Sequence, residues 1–230
     1  MTISGPIVHY LSTESTQAEA KKTLAGIHWT TDQTAGKGRF DRQWYSEPGR
    51  SLAISISLPE YRGFANSYLV AMWITLALAM EFDLRVQWPN DLVLNGKKVC
   101  GVLTEIVDGI PIIGFGLNIG RMEFPPEIAQ RASSFFNEGR EVGTPVEVLE
   151  RIVLMLSELG SVPESWSAMA EKWSSFDETK GKMFRLQDGR LGFADGISES
   201  GELIWNEQGH IEMVTCADAL WGFNREIETN

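Results

Sequence analysis

Thr31-Asp32-Gln33-Thr34-Ala35-Gly36-Lys37-Gly38-Arg39-Phe40-Asp41-Arg42-Gln43-Trp44 interleaves two glycines with three cations and ends on an indole. Glycines let backbone amides approach a ligand closely, and guanidiniums fork onto phosphate or carboxylate oxygens. Trp44 adds an aromatic face on which a base can stack, or a wedge for the loop itself. The stretch therefore reads as a charged flap for a phosphate-bearing ligand. A solvated basic surface loop is the plain alternative, but the whole chain carries a net charge of −11. A cluster of cations is a local device in such a chain.

The same balance argues against a general nucleic-acid or anionic-membrane surface. Length and composition allow one large domain, or one with a small appendage. Cys100 and Cys216 lie far apart, and the three histidines are scattered. No zinc spacing or disulfide framework is expected, so a reducing cytoplasm is the default location. The apolar run from Tyr68 to Met80 is too short to cross a bilayer and reads as a buried helix.

Working outward from the flap, Ile7–Leu11 and Ile27–Asp32 read as strands. Between them a helix begins at Ser15-Thr16-Gln17, with Thr16 and Glu19 spaced as a capping box. Leu52, Ile54, Ile56 and Leu58 alternate with small residues, the pattern of a half-buried strand. A long helix is expected over Asn66–Phe82, then short strands over Arg85–Trp88 and Leu92–Leu94. Asn95-Gly96 and Asp108-Gly109 predict hairpins flanking a strand from Lys98 to Val107 and its return from Ile110 to Ile119. Helices are expected over Pro145–Leu159 and Pro163–Trp173. From Gly181 onward Asp188-Gly189, Asp195-Gly196, Ser200-Gly201 and Gln208-Gly209 punctuate short apolar runs, which suggests a small antiparallel barrel packed on the main domain.

Four patches join the flap. Ser15-Thr16-Gln17 offers hydroxyls, an amide and free backbone N–H groups at a helix start. Trp88-Pro89-Asn90-Asp91 sets an amide and a carboxylate at a strand break. Strand alternation points Lys97 and Lys98 to opposite faces, so only one can face a pocket. Gly114-Phe115-Gly116-Leu117-Asn118 puts two glycines in a strand, where they often mark close approach of a ligand. Each patch alone has an ordinary structural reading, as a cap, a turn, a solvated lysine or a weak glycine pair.

Taken in order, these patches resemble the biotin protein ligase family over nearly the full chain. The family's serine-threonine segment is matched by Ser15-Thr16-Gln17 and its glycine-arginine loop by Gly36 to Trp44. Its Trp-Pro-Asn-Asp motif is Trp88 to Asp91, its Lys-x-x-Gly strand runs from Lys98 through Gly101 to Glu105, and its Gly-x-Gly-x-Asn strand is Gly114 to Asn118. The resemblance implies an α+β fold, a mixed and largely antiparallel sheet with packed helices of the class II synthetase-like type. That catalytic domain is expected over residues 1–176, with a small SH3-like β-barrel domain over 177–230.

The resemblance also implies an activity: biotin and Mg-ATP form biotinyl-5′-AMP, and a lysine of a biotin carboxyl carrier domain then takes the biotin. Ser15, Thr16 and Gln33 are expected on the ureido ring, with Gln17, Gly36, Lys37 and Gly38 completing the biotin site. Gly101, Gly114 and Gly116 are expected beneath the same ligand. Arg39, Arg42, Trp44, Asn90 and Asn118 are the implied nucleotide contacts. Lys98, Arg39 and Asp91 are the implied catalytic groups, and Asp91 is a candidate Mg2+ ligand. ATP, Mg2+ and substrate biotin are expected, without a prosthetic group or structural metal, in a cytoplasmic monomer or homodimer with no membrane or nucleic-acid partner.

Lys37 and Asp41 depart from the family's flap, replacing an arginine and a glycine. The chain also begins at the first catalytic strand, so an operon-repressor role is not expected. A lipoate or octanoate ligase or transferase of the same superfamily is the nearest alternative, although its arginine-pair and Gly-Gly-Gly segments are missing. A non-catalytic ligand-binding protein on this fold is the other.

Overall fold

Strands β1 (Ile7–His9) and β2 (Ile27–Thr30) run parallel, joined by helix α1 (Thr16–Thr23), in a computed structural model that describes residues 4–64, 67–215 and 219–223. Strand β3 (Ser51–Ser57) follows the flap, and helix α2 (Ser67–Phe82) follows β3. Strands β4 (Arg85–Gln87), β5 (Asp91–Leu94), β6 (Lys97–Val107) and β7 (Ile110–Asn118) complete a seven-stranded sheet of order β1-β2-β3-β7-β6-β5-β4. Every pair in it except β1–β2 is antiparallel. The expected mixed, largely antiparallel sheet is present. Both hairpins form as the sequence predicts, with Asn95, Gly96, Asp108 and Gly109 all at positive φ.

β3 is the sequence reading that needs correction. Its alternation suggests one wet face, yet all seven residues are buried. Leu52, Ile54 and Ile56 join the main apolar core. The small residues between them receive α1 at close range: Ser55 Oγ lies 2.9 Å from Thr16 Oγ1, and Ser57 Oγ donates to the Ala20 carbonyl at 3.4 Å. Small polar residues here mark a helix packed close, not solvent.

The capping box is also redistributed. Ser15, not Thr16, caps α1 and accepts from the Ala18 N–H, while Glu19 pairs with Lys22. This frees the Thr16 side chain for the site. α2 is buried on most sides, and Asn66, its expected start, lies outside the described residues. Its length and composition meet the core without an amphipathic stripe.

After β7 come a short helix α3 (Pro126–Ala129), α4 (Pro145–Glu158) and α5 (Ser167–Ser174). α3 carries no strong sequence signal. α4 starts with a complete Thr144–Glu147 capping box and buries Val148, Leu149, Ile152 and Leu156. No described helix is long and apolar enough to cross a membrane.

A second antiparallel sheet holds β8 (Met183–Leu186), β9 (Leu191–Ile197), β10 (Leu203–Glu207), β11 (His210–Val214) and β12 (Ala219–Phe223), in the order β11-β10-β9-β8-β12. Asp188-Gly189 and Gln208-Gly209 turn between its strands as expected. Asp195-Gly196 does not: it lies within β9, where the register against β10 shifts. Trp88 ties the two sheets together, donating its indole N–H to the Gly201 carbonyl at 3.0 Å and meeting Phe184 edge-on. Cys100 is a buried thiol pushed far up by burial, and Cys216 lies outside the described residues.

Candidate functional site

One cleft of about 250 Å³ runs along the face of β3, β6 and β7 and gathers residues from all five sequence patches. Its near end is polar and nearly neutral. The Thr16 N–H and hydroxyl both donate to Gln33 Oε1, at 2.9 and 3.2 Å. Gln17 donates its amide to the Ile112 carbonyl at 3.0 Å, which leaves Gln17 Oε1 buried without a partner among the described residues. A buried amide oxygen without a hydrogen bond costs free energy unless something donates to it. Ser15, at the helix start, and Gly114, against Gln17, complete this end.

The far end is cationic. Lys98 Nζ lies 2.6 Å from Asp91 Oδ1, both side chains partly exposed. Strand pairing makes this contact, because β5 sets Asp91 opposite Gly101 and a register shift after Leu92 brings Lys98 within reach. Lys97 points away and pairs with Glu138 at 3.6 Å, as strand alternation requires. Arg39 donates to Asn90 Oδ1 at 3.3 Å, and Asn90 donates to the Val102 carbonyl. The Trp88–Pro89 peptide is cis, and Asn90 and Asp91 both line the cleft. Burial, with Arg131 and Arg39 nearby, lowers the Arg42 guanidinium from its ordinary range.

The flap is a folded turn. Gly38 N–H donates to the Arg42 carbonyl at 2.7 Å and Trp44 N–H to the Gly36 carbonyl at 2.8 Å, so Lys37 and Gln43 face each other. At its tip Phe40 takes the left-handed conformation, with the Arg39 and Arg42 guanidiniums 4.9 and 5.9 Å from its ring. Asp41 shares this turn, but its side chain lies outside the described part of the structure. The Trp44 indole packs against the strand glycines: a Cβ on Gly116 would stand 2.5 Å from the ring and one on Gly101 3.0 Å. Those glycines are thus required by Trp44 as well as by any ligand. Trp44 Nε1 is buried without a partner among the described residues.

Asn118 is buried, donates to the Ser133 carbonyl at 3.0 Å, and keeps its Oδ1 without a partner among the described residues. Every predicted site residue except Gly36 lines the cleft, and Gly36 packs on Trp44 and Gln33 beside it. Sequence reading missed Phe124, Gln130, Arg131, Lys182 and Phe184 on the cleft wall. No motif marks them, because α3 and β8 reach the cleft only through the tertiary fold. Lys98 engages the Asp91 carboxylate, and no cluster of three His, Cys, Asp or Glu side chains is present among the described residues.

Residues 9–118 match the biotin/lipoate A/B protein ligase family. The biotin–[acetyl-CoA-carboxylase] ligase of Paracoccus denitrificans is 27% identical over 91% of this chain and 98% of its own length. The bifunctional ligase/repressor BirA of Bacillus spizizenii is 29% identical over 83% of this chain, which spans 64% of that relative's length. The biotin protein ligase of Aquifex aeolicus, solved in complex with biotin and ATP, superposes with a TM-score of 0.73 at 25% identity, covering 93% of this chain and 97% of that one. The family match takes in the flap, the Trp-Pro-Asn-Asp turn and both strands beneath the cleft.

Proposed function

We propose that this protein is an ATP-dependent biotin protein ligase. One observation carries the reading: a single cleft joins an amide-rich end, with the unpartnered Gln17 oxygen, to an end lined by Lys98, Arg39, Arg42 and Arg131. A neutral ureido ring suits the first end, and a carboxylate meeting a polyphosphate suits the second. Thr16, with Gln33 held by its two donated bonds, positions the ring, and Ser15 and Gln17 flank it. The apolar tail of biotin runs over Gly101, Gly114 and Gly116 beside the Trp44 indole.

In the first step a biotin carboxylate oxygen attacks the α-phosphorus of ATP. The bond to the bridging oxygen breaks, and pyrophosphate leaves with its electron pair. Lys98 and Arg39 neutralise the charge that gathers between the reacting groups, a task that needs positioned cations and no enzyme nucleophile. Trp44 and Asn118 hold the base, while Asn90 fixes Arg39. In the second step the amine of a carrier-domain lysine attacks the biotinyl carbonyl, forms the amide and expels AMP. The acceptor we propose is the biotin carboxyl carrier domain of a carboxylase, met in the cytoplasm.

Residues 1–176 would form the catalytic domain and 177–230 an SH3-like barrel that closes one wall through Lys182 and Phe184. Pyrophosphate exchange with biotin, lipoate and octanoate tests the reading. Exchange that depends on biotin supports it, whereas exchange only with lipoate or octanoate favours the sister activity. Exchange with none of the three favours a binding protein.

A further inference from the structure

Glu138 belongs to none of the motifs and does not line the cleft, yet three donors converge on its carboxylate. Ser133 Oγ donates to it at 2.6 Å, Asn95 Nδ2 donates at 3.1 Å, and Lys97 Nζ lies 3.6 Å away. Burial works against its charge, but those three partners hold the carboxyl below its ordinary range, so it is an acceptor at neutral pH. Its own backbone N–H donates to the Ser134 carbonyl at 3.1 Å, which closes the turn from Ser134 to Glu138. Ser133 is buried and passes this anchorage inward. Its N–H donates to the Lys98 carbonyl at 2.9 Å, and its carbonyl accepts from Asn118 Nδ2 at 3.0 Å. The Phe135 N–H donates to the Asn118 carbonyl, also at 3.0 Å. With Nδ2 committed to Ser133, the Asn118 amide cannot flip without losing that bond. Its buried Oδ1, without a partner among the described residues, therefore stays an acceptor at the cleft.

Resting on the ligase reading, we propose that Glu138 is a positioning residue for the adenine base: through Ser133 it aims the Asn118 oxygen at the 6-amine. Once ribose occupies N9, that amine is the base's only N–H donor, so a fixed acceptor can meet nothing else on it. A purine with a carbonyl at C6 would set two acceptors against each other and leave both unsatisfied. The relay thus selects ATP by its base, and leaves biotin and the phosphates to the other groups of the cleft.

The test compares ATP with purine riboside triphosphate, which lacks the 6-amine, in biotin-dependent release of pyrophosphate. The unaltered protein should show a KM roughly tenfold lower for ATP, the worth of one buried hydrogen bond. Glu138→Ala and Ser133→Ala should each raise the KM for ATP towards that of the analogue. Neither should change kcat, the KM for biotin or the KM for the analogue. The double variant should be no worse than either single one, because both break the same bond. Glu138→Gln keeps an acceptor for Ser133 and should recover most of the preference, while Lys97→Ala, which spares the Ser133 bond, should match the unaltered protein. No preference for ATP in the unaltered protein, or a preference kept in both alanine variants, would overturn the positioning role. So would an equal rise in KM for ATP and analogue. Calorimetric titration of α,β-methylene-ATP into the biotin-loaded proteins makes the comparison without turnover. Equal affinity in the unaltered protein and Glu138→Ala would overturn the positioning role alone, whereas no binding by the unaltered protein would overturn the ligase reading and the role with it.

Discussion

Lys98 and Asp91 lie 2.6 Å apart, so neither acts on substrate without the other feeling it. Lys98→Ala should lower biotin-dependent exchange by about 10²–10³, the usual cost of removing a preorganised charge from a reaction centre. Lys97→Ala, on the opposite face with Glu138, should leave the rate unchanged. Asp91→Asn keeps the shape but releases the ammonium, and roughly a tenfold loss is expected because the lysine is no longer aimed. The decisive measurement is the double variant. If Asp91 works through Lys98, the pair should be no slower than Lys98→Ala alone; a further tenfold loss would give Asp91 an independent role. Lys98 is legible in the sequence because a local motif surrounds it. Its partner is not, since only β5–β6 pairing with a shifted register brings Asp91 across. Gln17 and Asn118 are legible as residues, but the orphaned oxygen on each depends on a partner far away in the chain.

The flap and the glycine strands form one element in effect. Sequence offers Trp44 either as a face for a base or as a wedge for the loop; in the structure it anchors the flap by lying on Gly116 and Gly101. Gly116→Ala would set a methyl 2.5 Å from a rigid ring, so the indole must move. We expect exchange to fall about 10²-fold from the misplaced flap, with Gly160→Ala as a neutral control because open space surrounds it. Trypsin reports the same coupling. Cleavage after Lys37, Arg39 and Arg42 should slow when biotin and ATP are both present, and should quicken in ligand-free Trp44→Ala. Equal digestion in all three samples would mean that the turn is held by its own hydrogen bonds and not by Trp44. Hairpins were legible at this scale because Asn-Gly and Asp-Gly fix them locally. The burial of β3 was not, because small polar residues look the same whether they face water or an approaching helix.

Across the whole molecule, the two sheets share a seam that the Trp-Pro-Asn-Asp turn helps to build. Trp88, first residue of the Trp-Pro-Asn-Asp turn, is buried at the edge of the cleft. Its indole donates to the Gly201 carbonyl and packs edge-on against Phe184, and its backbone N–H donates to Thr179 Oγ1 at 2.9 Å. Trp166 covers Gly201, where a Cβ would stand 3.1 Å from the indole. The small second sheet would be marginal alone, and this buried contact makes its stability depend on the larger one. Trp88→Phe keeps most of the apolar contact but leaves the Gly201 carbonyl without its donor. We expect a cost of about 1–3 kcal/mol. For a chain of this size that lowers Tm by roughly 2–4 °C per kcal/mol. Far-ultraviolet circular dichroism and tryptophan fluorescence should still trace one coincident transition in both proteins. Because Asn90 and Asp91 follow Trp88 directly, the loosened seam should also raise the KM for ATP before the protein melts. Two separate transitions in the unaltered protein would show that the sheets fold independently, and that Trp88 shapes the active-site turn without joining the sheets.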